Sequence, residues 1–276
     1  MKPDNANNHW LFLSVYYAKN SWEGLVAEIA TIIENLKKEK DIRNYIILFS
    51  HERGENVRIA VSFVDLHKNN ELQTLIEERI TNFILRNPSI LDEEFEYGKT
   101  LWCNYPNNSL VWNSFDLSKK STEEIEFISK SSEVILELLD GSVNSENFYS
   151  VSLFLLVKIF KNIKPAEDMD AIRGVENGYS TELSQFIEQY AATDDLIDQF
   201  GGNWADISEL IYSYWNDNDN TADLKEWEDS IRKMIQKGKS VLTLTHSIFY
   251  VLDLTMAERD FLLGLLSKYF RENRYC

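Results

Sequence analysis

Apolar residues along the chain follow two different spacings, which divide it into a mixed N-terminal part and a helical remainder. Short runs rich in aromatic and β-branched residues predict strands in the first part. These strands are 10–17, 45–50 and 57–64. A turn signal at 51–55 contains Gly54 and joins the last two strands, so it predicts a hairpin. Apolar stripes with helical spacing predict two helices in this part, over 22–40 and 72–83.

The second half of the sequence shows mainly helical spacing. Two capping boxes, in which Ser121 pairs with Glu124 and Thr255 pairs with Glu258, mark helix starts. The predicted helices are 121–139, 147–163, 181–190, 203–214, 222–237, 240–251 and 255–271. Residues 93–116 are rich in aromatic residues and Asn, which predicts irregular structure with a strand or two. The fold class is therefore predicted to be α+β, with an N-terminal strand–helix–hairpin sheet region followed by a mainly helical second half.

The composition predicts one folded domain across residues 1–276. Hydrophobic residues make up 44% of the chain, which is enough apolar surface for a core. Gly and Pro number only 10 and 4, so long disordered linkers are not expected. The strongest candidate for an internal boundary is 164–179, because it combines Pro165 with Gly174 and Gly178.

The charge balance and the cysteine content restrict the expected partners and compartment. The chain has 28 basic and 45 acidic residues, and its formal net charge of −17 repels phosphate backbones, so direct nucleic-acid binding is not expected. The two cysteines, Cys103 and Cys276, form no zinc or disulfide pattern. The polar N-terminus lacks the apolar core of a signal peptide, and no apolar run is long enough to span a bilayer. We therefore expect a cytoplasmic protein without a membrane span.

Common cofactor and metal signatures are absent from the sequence, so neither a cofactor nor a metal is expected. The chain contains no GxGxxG, no P-loop, no HExxH and no GxSxG. The segment from Asp217 to Glu228 is similar to a calcium loop, but Ala222 stands where the sharp turn needs Gly. An acidic, solvated loop is the favoured interpretation of that segment.

The histidines differ in their sequence surroundings. His9, His51 and His67 lie in polar or turn segments and are expected to be exposed. His246 lies in the apolar helical run 241–250, for which a hydrogen-bonded core histidine is the ordinary interpretation. A catalytic role for His246 is therefore supported only by the resemblance of the chain to a known family.

Six short motifs occur in a fixed order along the chain. They are 10–13 (Trp-Leu-Phe-Leu), 56–60 (Asn-Val-Arg-Ile-Ala), 93–98 (Glu-Glu-Phe-Glu-Tyr-Gly), 127–132 (Phe-Ile-Ser-Lys-Ser-Ser), 246–251 (His-Ser-Ile-Phe-Tyr-Val) and 254–258 (Leu-Thr-Met-Ala-Glu). In order and spacing the chain resembles, over nearly its whole length, the thiopeptide-type bacteriocin biosynthesis family, the C-terminal domain of class I lanthipeptide dehydratases. The resemblance implies that 1–276 is one domain of this kind and a divergent, stand-alone member.

The family's chemistry supplies the expected reaction. In full-length dehydratases of this family, a separate larger domain esterifies peptide Ser or Thr with glutamate taken from glutamyl-tRNA. The C-terminal domain, which this chain resembles, then eliminates glutamate and leaves dehydroalanine or dehydrobutyrine. This β-elimination needs a base for the α-proton and cationic groups for the leaving glutamate. The implied partners are a precursor peptide and the glutamylating dehydratase subunit.

The resemblance also assigns roles to individual residues. Arg58 would bind the glutamate carboxylates, because its planar fork pairs with a carboxylate. His246 would serve as acid or base, since imidazole titrates near the working pH, and Glu93 would orient these partners. Arg53 and Tyr250 are the candidate substrate-binding residues, with Arg53 expected to replace positive charge that the family pattern has elsewhere.

Several motif positions depart from the family pattern and keep three functions open. Ala60 and Glu96 stand where the pattern has arginines, Asn56 where it has a histidine, and Tyr250 and Val251 where it has Asn and Arg. The glutamate-elimination subunit of a split lanthipeptide dehydratase, a lyase, is the first interpretation. A non-catalytic accessory subunit that binds the precursor peptide or the glutamylating subunit is the second. A cycloaddition enzyme that forms the pyridine core of a thiopeptide is the third, and the oligomeric state, including a homodimer, stays open.

Overall fold

A computed structural model of the chain describes its residues in several stretches. These are 10–91, 104–140, 142–163, 185–190, 204–217 and 221–273. Within them the predicted α+β class is confirmed, because an antiparallel sheet forms near the N-terminus and helices dominate the second half. The boundary candidate at 164–179 lies outside the described residues.

Four strands form the sheet that the described residues contain. The strands are β1 (Trp10–Tyr16), β2 (Ile42–Ser50), β3 (Asn56–Phe63) and β4 (Ser109–Trp112), and their order is β2-β3-β1-β4. All neighbouring strands are antiparallel, so the predicted hairpin of β2 and β3 is confirmed. Pairing of β1 with β3 places Ser14 opposite Arg58 and Tyr16 opposite Asn56. The turn of the hairpin therefore lies at the end of the sheet where β1 finishes.

The helices follow the predicted periodicity closely. Their bounds are α1 (Trp22–Lys38), α2 (Asn69–Arg86), α3 (Thr122–Leu139), α4 (Ser145–Ile163), α5 (Trp204–Asn216), α6 (Ala222–Gln236), α7 (Val241–Leu252) and α8 (Met256–Glu272). Residues 185–190 are also helical. Both predicted capping boxes form, at Ser121 with Glu124 and at Thr255 with Glu258, which satisfies amide groups at the starts of α3 and α8.

The chain divides into two compact units. The first comprises Met1–Phe148 with Val251–Asp253, and the second comprises Tyr149–Tyr250 with Leu254–Cys276. The sheet and helices α1 to α3 belong to the first unit. Among the residues that the structure describes, no helix combines the length and apolar composition needed to cross a membrane.

Helix α1 covers the core of the first unit with its predicted apolar stripe. All five stripe residues are buried, and they are Leu25, Ile29, Ile32, Ile33 and Leu36. At the start of the helix, the fully buried Trp22 lies with its ring centroid 5.2 Å from that of Phe49 in β2. The indole nitrogen of Trp22 donates a hydrogen bond to the carbonyl of Tyr17 at 2.8 Å. This bond satisfies the polar end of a large buried side chain.

Helix α3 protects the outer edge of the sheet, where β2 has no neighbouring strand among the described residues. The hydroxyl of Ser129 donates to the carbonyl of Tyr45 at 2.7 Å. The hydroxyl of Ser132 accepts from the amide of Ile47 at 2.7 Å and donates to the Ile47 carbonyl at 3.2 Å. Backbone groups on an edge strand need such partners when they are buried. Serine side chains on α3 thus take the place of a further strand.

The edge bonds predict a specific stability loss in the variant Ser132→Ala. It leaves the amide and carbonyl of Ile47 without this partner, and we expect the free energy of unfolding to fall by about 1–3 kcal/mol. Urea denaturation measures the loss, and hydrogen exchange at Ile47 localises it. The matched control is Ser152→Ala in α4, because Ser152 is also buried and its hydroxyl has no hydrogen-bond partner among the described residues. That control should be neutral or stabilising; equal losses in both variants would refute the assignment.

The second unit has a polar contact at the start of α8. The hydroxyl of Tyr149 donates to the Glu258 carboxylate at 2.5 Å. This hydrogen bond, with burial and the charge of Glu258, raises the pKa of Tyr149 to about 12. Glu258 is also the carboxylate of the α8 capping box, so a side chain of α4 supports the cap.

Candidate functional site

The turn of the β2–β3 hairpin is built by a buried asparagine and two left-handed residues. Arg53 and Gly54 have φ values of 60° and 116°, a backbone conformation that Gly adopts without strain. The side-chain amide of Asn56 donates to the carbonyls of Ser50, Glu52 and Gly54, at 3.2, 3.1 and 2.7 Å. The side chain of Asn56 therefore holds the carbonyl groups of the turn in place.

Arg58 is the central cation of this end of the sheet. The residue is only 8% exposed. Its Nη2 donates to Oε2 of Glu52 at 2.7 Å, and its Nε donates to Oδ1 of Asn56 at 3.2 Å. The guanidinium carbon lies 5.4 Å from the ring centroid of Phe115. Within the described part of the chain, Nη1 makes no hydrogen bond, so a fixed and largely desolvated guanidinium keeps one nitrogen available for an anion.

Two tyrosines line the same end of the hairpin. The rings of Tyr16 and Tyr105 lie 4.8 Å apart, and Nη1 of Arg53 donates to the Tyr105 hydroxyl at 3.3 Å. Burial raises the pKa of Tyr16, although the positive charges of Arg58 and Arg53 oppose that shift. Tyr16 is buried, and its hydroxyl has no hydrogen-bond partner among the described residues. A neutral phenol is thus available as a donor close to Arg58.

A histidine–aspartate pair flanks the turn. One carboxylate oxygen, Oδ2 of Asp253, accepts from the backbone amide of His51 at 2.7 Å and lies 3.0 Å from its Nδ1. Burial would raise the pKa of Asp253, but the hydrogen bonds from His51 and the charges of His51 and Arg58 together hold it below the ordinary value. The ring centroid of His51 lies 5.6 Å from that of Trp22.

The structure brings together some of the sequence-predicted site residues. Arg58 and Arg53 both lie in the hairpin of the first unit, and the charges of both act on Tyr16. His246 and Tyr250 lie one turn apart on α7 in the second unit. Glu93 lies outside the described residues. The roles assigned to all five residues stay predictions.

The surroundings of the histidines differ from the sequence expectation in one respect. His246 is exposed, so the ordinary interpretation as a core histidine is wrong. That interpretation took the apolar character of the whole run as a sign that His246 is buried. In the structure the neighbouring Thr245 and Ser247 are buried, and His246 lies on the exposed face of α7. His51 and His67 are exposed as expected, and His9 lies outside the described residues.

Sequence reasoning missed several neighbours of Arg58. Tyr16 could have been found from strand pairing, because it lies two residues beyond Ser14, which is opposite Arg58. No sequence signal indicates Asp253, which is 202 residues from its partner His51. Among the residues that the structure describes, no group of three or more His, Cys, Asp or Glu side chains is placed to hold a metal ion.

Comparisons with known proteins place this geometry in a recognised fold. No protein-family model and no curated protein matches the chain. Its structure is similar to that of the pyridine synthase TbtD from thiomuracin biosynthesis, with a TM-score of 0.68, 13% identity, and coverage of 97% of this chain and 99% of that one. TsrL gives a TM-score of 0.59 and 12% identity over 97% of this chain and 95% of that one.

The third structure is a much longer protein. It is the tRNA-dependent lantibiotic dehydratase MibB from Microbispora sp. 107891, with a TM-score of 0.56 and 10% identity. The match covers 99% of this chain but only 29% of the dehydratase. At such identities the three comparisons establish a shared fold, and two of the proteins that share it are a pyridine synthase and a lantibiotic dehydratase.

Proposed function

We propose that this protein acts on a ribosomally made precursor peptide and eliminates glutamate from glutamylated Ser or Thr, which leaves dehydroalanine or dehydrobutyrine. The observation that carries the proposal is the buried Arg58, whose Nη1 makes no hydrogen bond within the described residues. The fold shared with a lantibiotic dehydratase and a pyridine synthase supports a precursor peptide as the substrate class.

The proposed reaction is a β-elimination. A base takes the α-proton of the esterified residue, the electron pair forms the Cα–Cβ double bond, and the Cβ–O bond breaks. Glutamate leaves as a carboxylate, so negative charge develops where Arg58 and Tyr16 offer donors in a desolvated site. The family resemblance supplies His246 as the acid or base and Glu93 as the orienting residue. Arg53 and Tyr250 remain the proposed substrate-binding residues.

Glu52 competes for the same guanidinium. Its carboxylate bonds Nη2 of Arg58 at 2.7 Å, while its own side chain is 69% exposed. An exposed side chain can move into water at small cost, because surface ion pairs contribute little free energy. A substrate carboxylate can therefore take the position of Glu52 and pair with both Nη1 and Nη2.

Pyridine ring formation is the second candidate function. It is favoured by one observation, which is that the pyridine synthase matches over 97% of this chain and 99% of its own. In that reaction two dehydroalanines combine and the leader peptide is released. A non-catalytic accessory subunit is the remaining candidate, and it would bind the precursor peptide or the glutamylating subunit without changing the peptide.

The test of the proposed function is mass spectrometry of the cognate precursor. The precursor is co-expressed with its glutamylating subunit, with and without this chain. We expect glutamate adducts to disappear, and dehydrated residues to form, only when the chain is present, because loss of glutamate requires stabilisation of the leaving carboxylate. A fully dehydrated precursor is the second substrate. A macrocycle with released leader peptide would favour the synthase, and persistent adducts on a co-purifying precursor would favour the accessory subunit.

A further inference from the structure

We propose that His51, held by Asp253, is the base that removes the α-proton in this reaction. The inference rests on the proposed function and deepens it, because it assigns removal of the α-proton to a histidine of the hairpin that carries Arg58. His51 then takes the place of His246 as the base, and the role of acid remains for His246. The pair consists of His51, at the end of β2, and Asp253, directly after α7; both belong to the first unit.

The hydrogen bonds of the pair fix the tautomer of the imidazole. The pKa of Asp253 lies below its ordinary value, so its side chain is an ionised carboxylate that can only accept hydrogen bonds. Nδ1 of His51, 3.0 Å from Oδ2, must therefore carry its proton. When the ring is neutral, its lone pair is therefore on Nε2, which makes no hydrogen bond within the described part of the chain. Nε2 is thus prepared to accept a proton.

The surroundings hold the ring in one orientation and leave it accessible. The backbone amide of His51 donates a hydrogen bond to the same Oδ2, so the backbone and the side chain of His51 are both held by one carboxylate oxygen. The buried indole of Trp22 packs beside the imidazole, and the two ring centroids lie 5.6 Å apart. The side chains of His51 and Asp253 nevertheless remain 45% and 38% exposed. A substrate can therefore reach an imidazole whose rotation is restricted.

Charge connects the pair to the proposed glutamate site. Glu52, the next residue after His51, bonds Arg58, and the charge of Arg58 contributes to the lowered pKa of Asp253. When Nε2 accepts the α-proton, the resulting imidazolium is stabilised by the adjacent Asp253 carboxylate. The electron pair moves into the Cα–Cβ bond, and glutamate departs as a carboxylate toward Arg58. The step is balanced, because the α-proton moves to Nε2 of His51 and the electron pair of the broken Cβ–O bond leaves with glutamate.

Asp253 directly follows α7, and the end of that helix sets its backbone. Its φ is +51°, the left-handed conformation in which many helices end, and the amide of Leu254 donates to the carbonyl of Phe249 at 3.2 Å, which closes the last turn. From this position the carboxylate of Asp253 makes its two hydrogen bonds with His51. Asp253 is accordingly a positioning residue, and His51 is the proposed catalytic residue.

The kinetic test uses the full chain with its glutamylated precursor. We expect His51→Ala to lower kcat at least about 100-fold with little change in KM, because a positioned general base contributes on the order of 100-fold or more. Added imidazole should restore part of this rate. Asp253→Asn should lower kcat by less than His51→Ala does. In nitrogen NMR spectra of this variant, the imidazole of His51 should no longer show a single tautomer. The control is His67→Gln, an exposed histidine with no place in the pair, which should keep the wild-type rate.

The outcomes separate this inference from the proposed function. Wild-type elimination together with a normal rate for His51→Ala would overturn the inference and leave the function standing. A loss of rate in His51→Ala that imidazole does not restore, accompanied by a lower melting temperature, would make the pair structural and also overturn it. Absence of elimination by the wild-type chain would refute the proposed function itself. Independently of activity, a proton found on Nε2 rather than Nδ1 in the free protein would overturn the tautomer argument.

Discussion

Replacing Arg58 with lysine is expected to lower the rate of the proposed glutamate elimination by about 100-fold, because one donor to the developing carboxylate charge is lost. Lysine keeps the charge but not the planar fork, so Nη1 and Nη2 can no longer hold a carboxylate together. The bonds to Glu52 and Asn56 show how the fork is held in place. The measurement is kcat/KM for loss of glutamate from the glutamylated precursor, together with calorimetric titration of free L-glutamate.

The control for Arg58 is another arginine of the same hairpin. Arg43→Lys changes an exposed residue of β2 and should leave both rate and binding unchanged. Glu52→Gln should change binding in the opposite direction to Arg58→Lys, because it removes the competing carboxylate and should tighten L-glutamate binding. L-Glutamine should bind less well than L-glutamate to the wild type. Equal elimination rates for Arg58→Lys and the wild type would exclude Arg58 from recognition of the leaving group.

The second large effect is expected on stability, in the second unit. Replacing Lys158 with alanine should lower the free energy of unfolding by about 3 kcal/mol, from a lost charged hydrogen bond and a new cavity. Lys158 is only 1% exposed, and its Nζ donates to the carbonyl of Asp217 at 2.8 Å. Nζ also lies 5.1 Å from the ring centroid of Phe154. Urea denaturation measures the expected loss.

The physical reason lies at the C-terminus of α5, where the last carbonyls and the helix dipole favour a positive charge. Helix α5 has no basic residue in its own last turn. Lys158 and Lys161 of α4 supply that charge, and Lys161 donates to the carbonyl of Trp215 at 2.7 Å. Burial and the charge of Lys158 lower the pKa of Lys161. A buried lysine in this unit therefore has a structural explanation in helix capping.

Lys161 supplies the matched control, one turn further along the same helix. Lys161→Ala should cost less than Lys158→Ala, because Lys161 is partly exposed and its removal leaves no closed cavity. Lys158→Met, which keeps most of the packing volume, should fall between wild type and Lys158→Ala. If the methionine variant were as stable as wild type, the hydrogen bond to α5 would contribute nothing measurable.

Two of the motif positions that carry the resemblance are apolar and buried. Ala60 is fully buried between Phe12 of β1 and Ile46 of β2. Val251 is also fully buried. Neither position supplies a cation, so the proposed carboxylate recognition rests on Arg58, the buried arginine of β3.

Local patterns in the sequence were sufficient to predict the main elements and the starts of the two capped helices, although β2 and α2 begin about three residues earlier than predicted. Capping boxes at Ser121 and Thr255 predicted the starts of α3 and α8, because a hydroxyl and a carboxylate three residues apart satisfy each other's amides locally. The turn signal at 51–55 between two strand-like runs predicted the hairpin, and the apolar stripe of 22–40 predicted the buried face of α1. These features depend on residues close together in the chain, so their pattern is visible in the sequence.

The contacts between side chains, by contrast, became known only from the fold. In the fold, Asp253 contacts His51, although the two are 202 residues apart in the sequence. Nη2 of Arg58 donates a hydrogen bond to Glu52, and His246 is exposed although its helix is apolar. Such contacts depend on how distant elements pack, and the spacing of residues along the chain carries no record of that packing. The resemblance of the sequence therefore indicated Arg58 as a candidate, whereas the fold determined its partners and its burial.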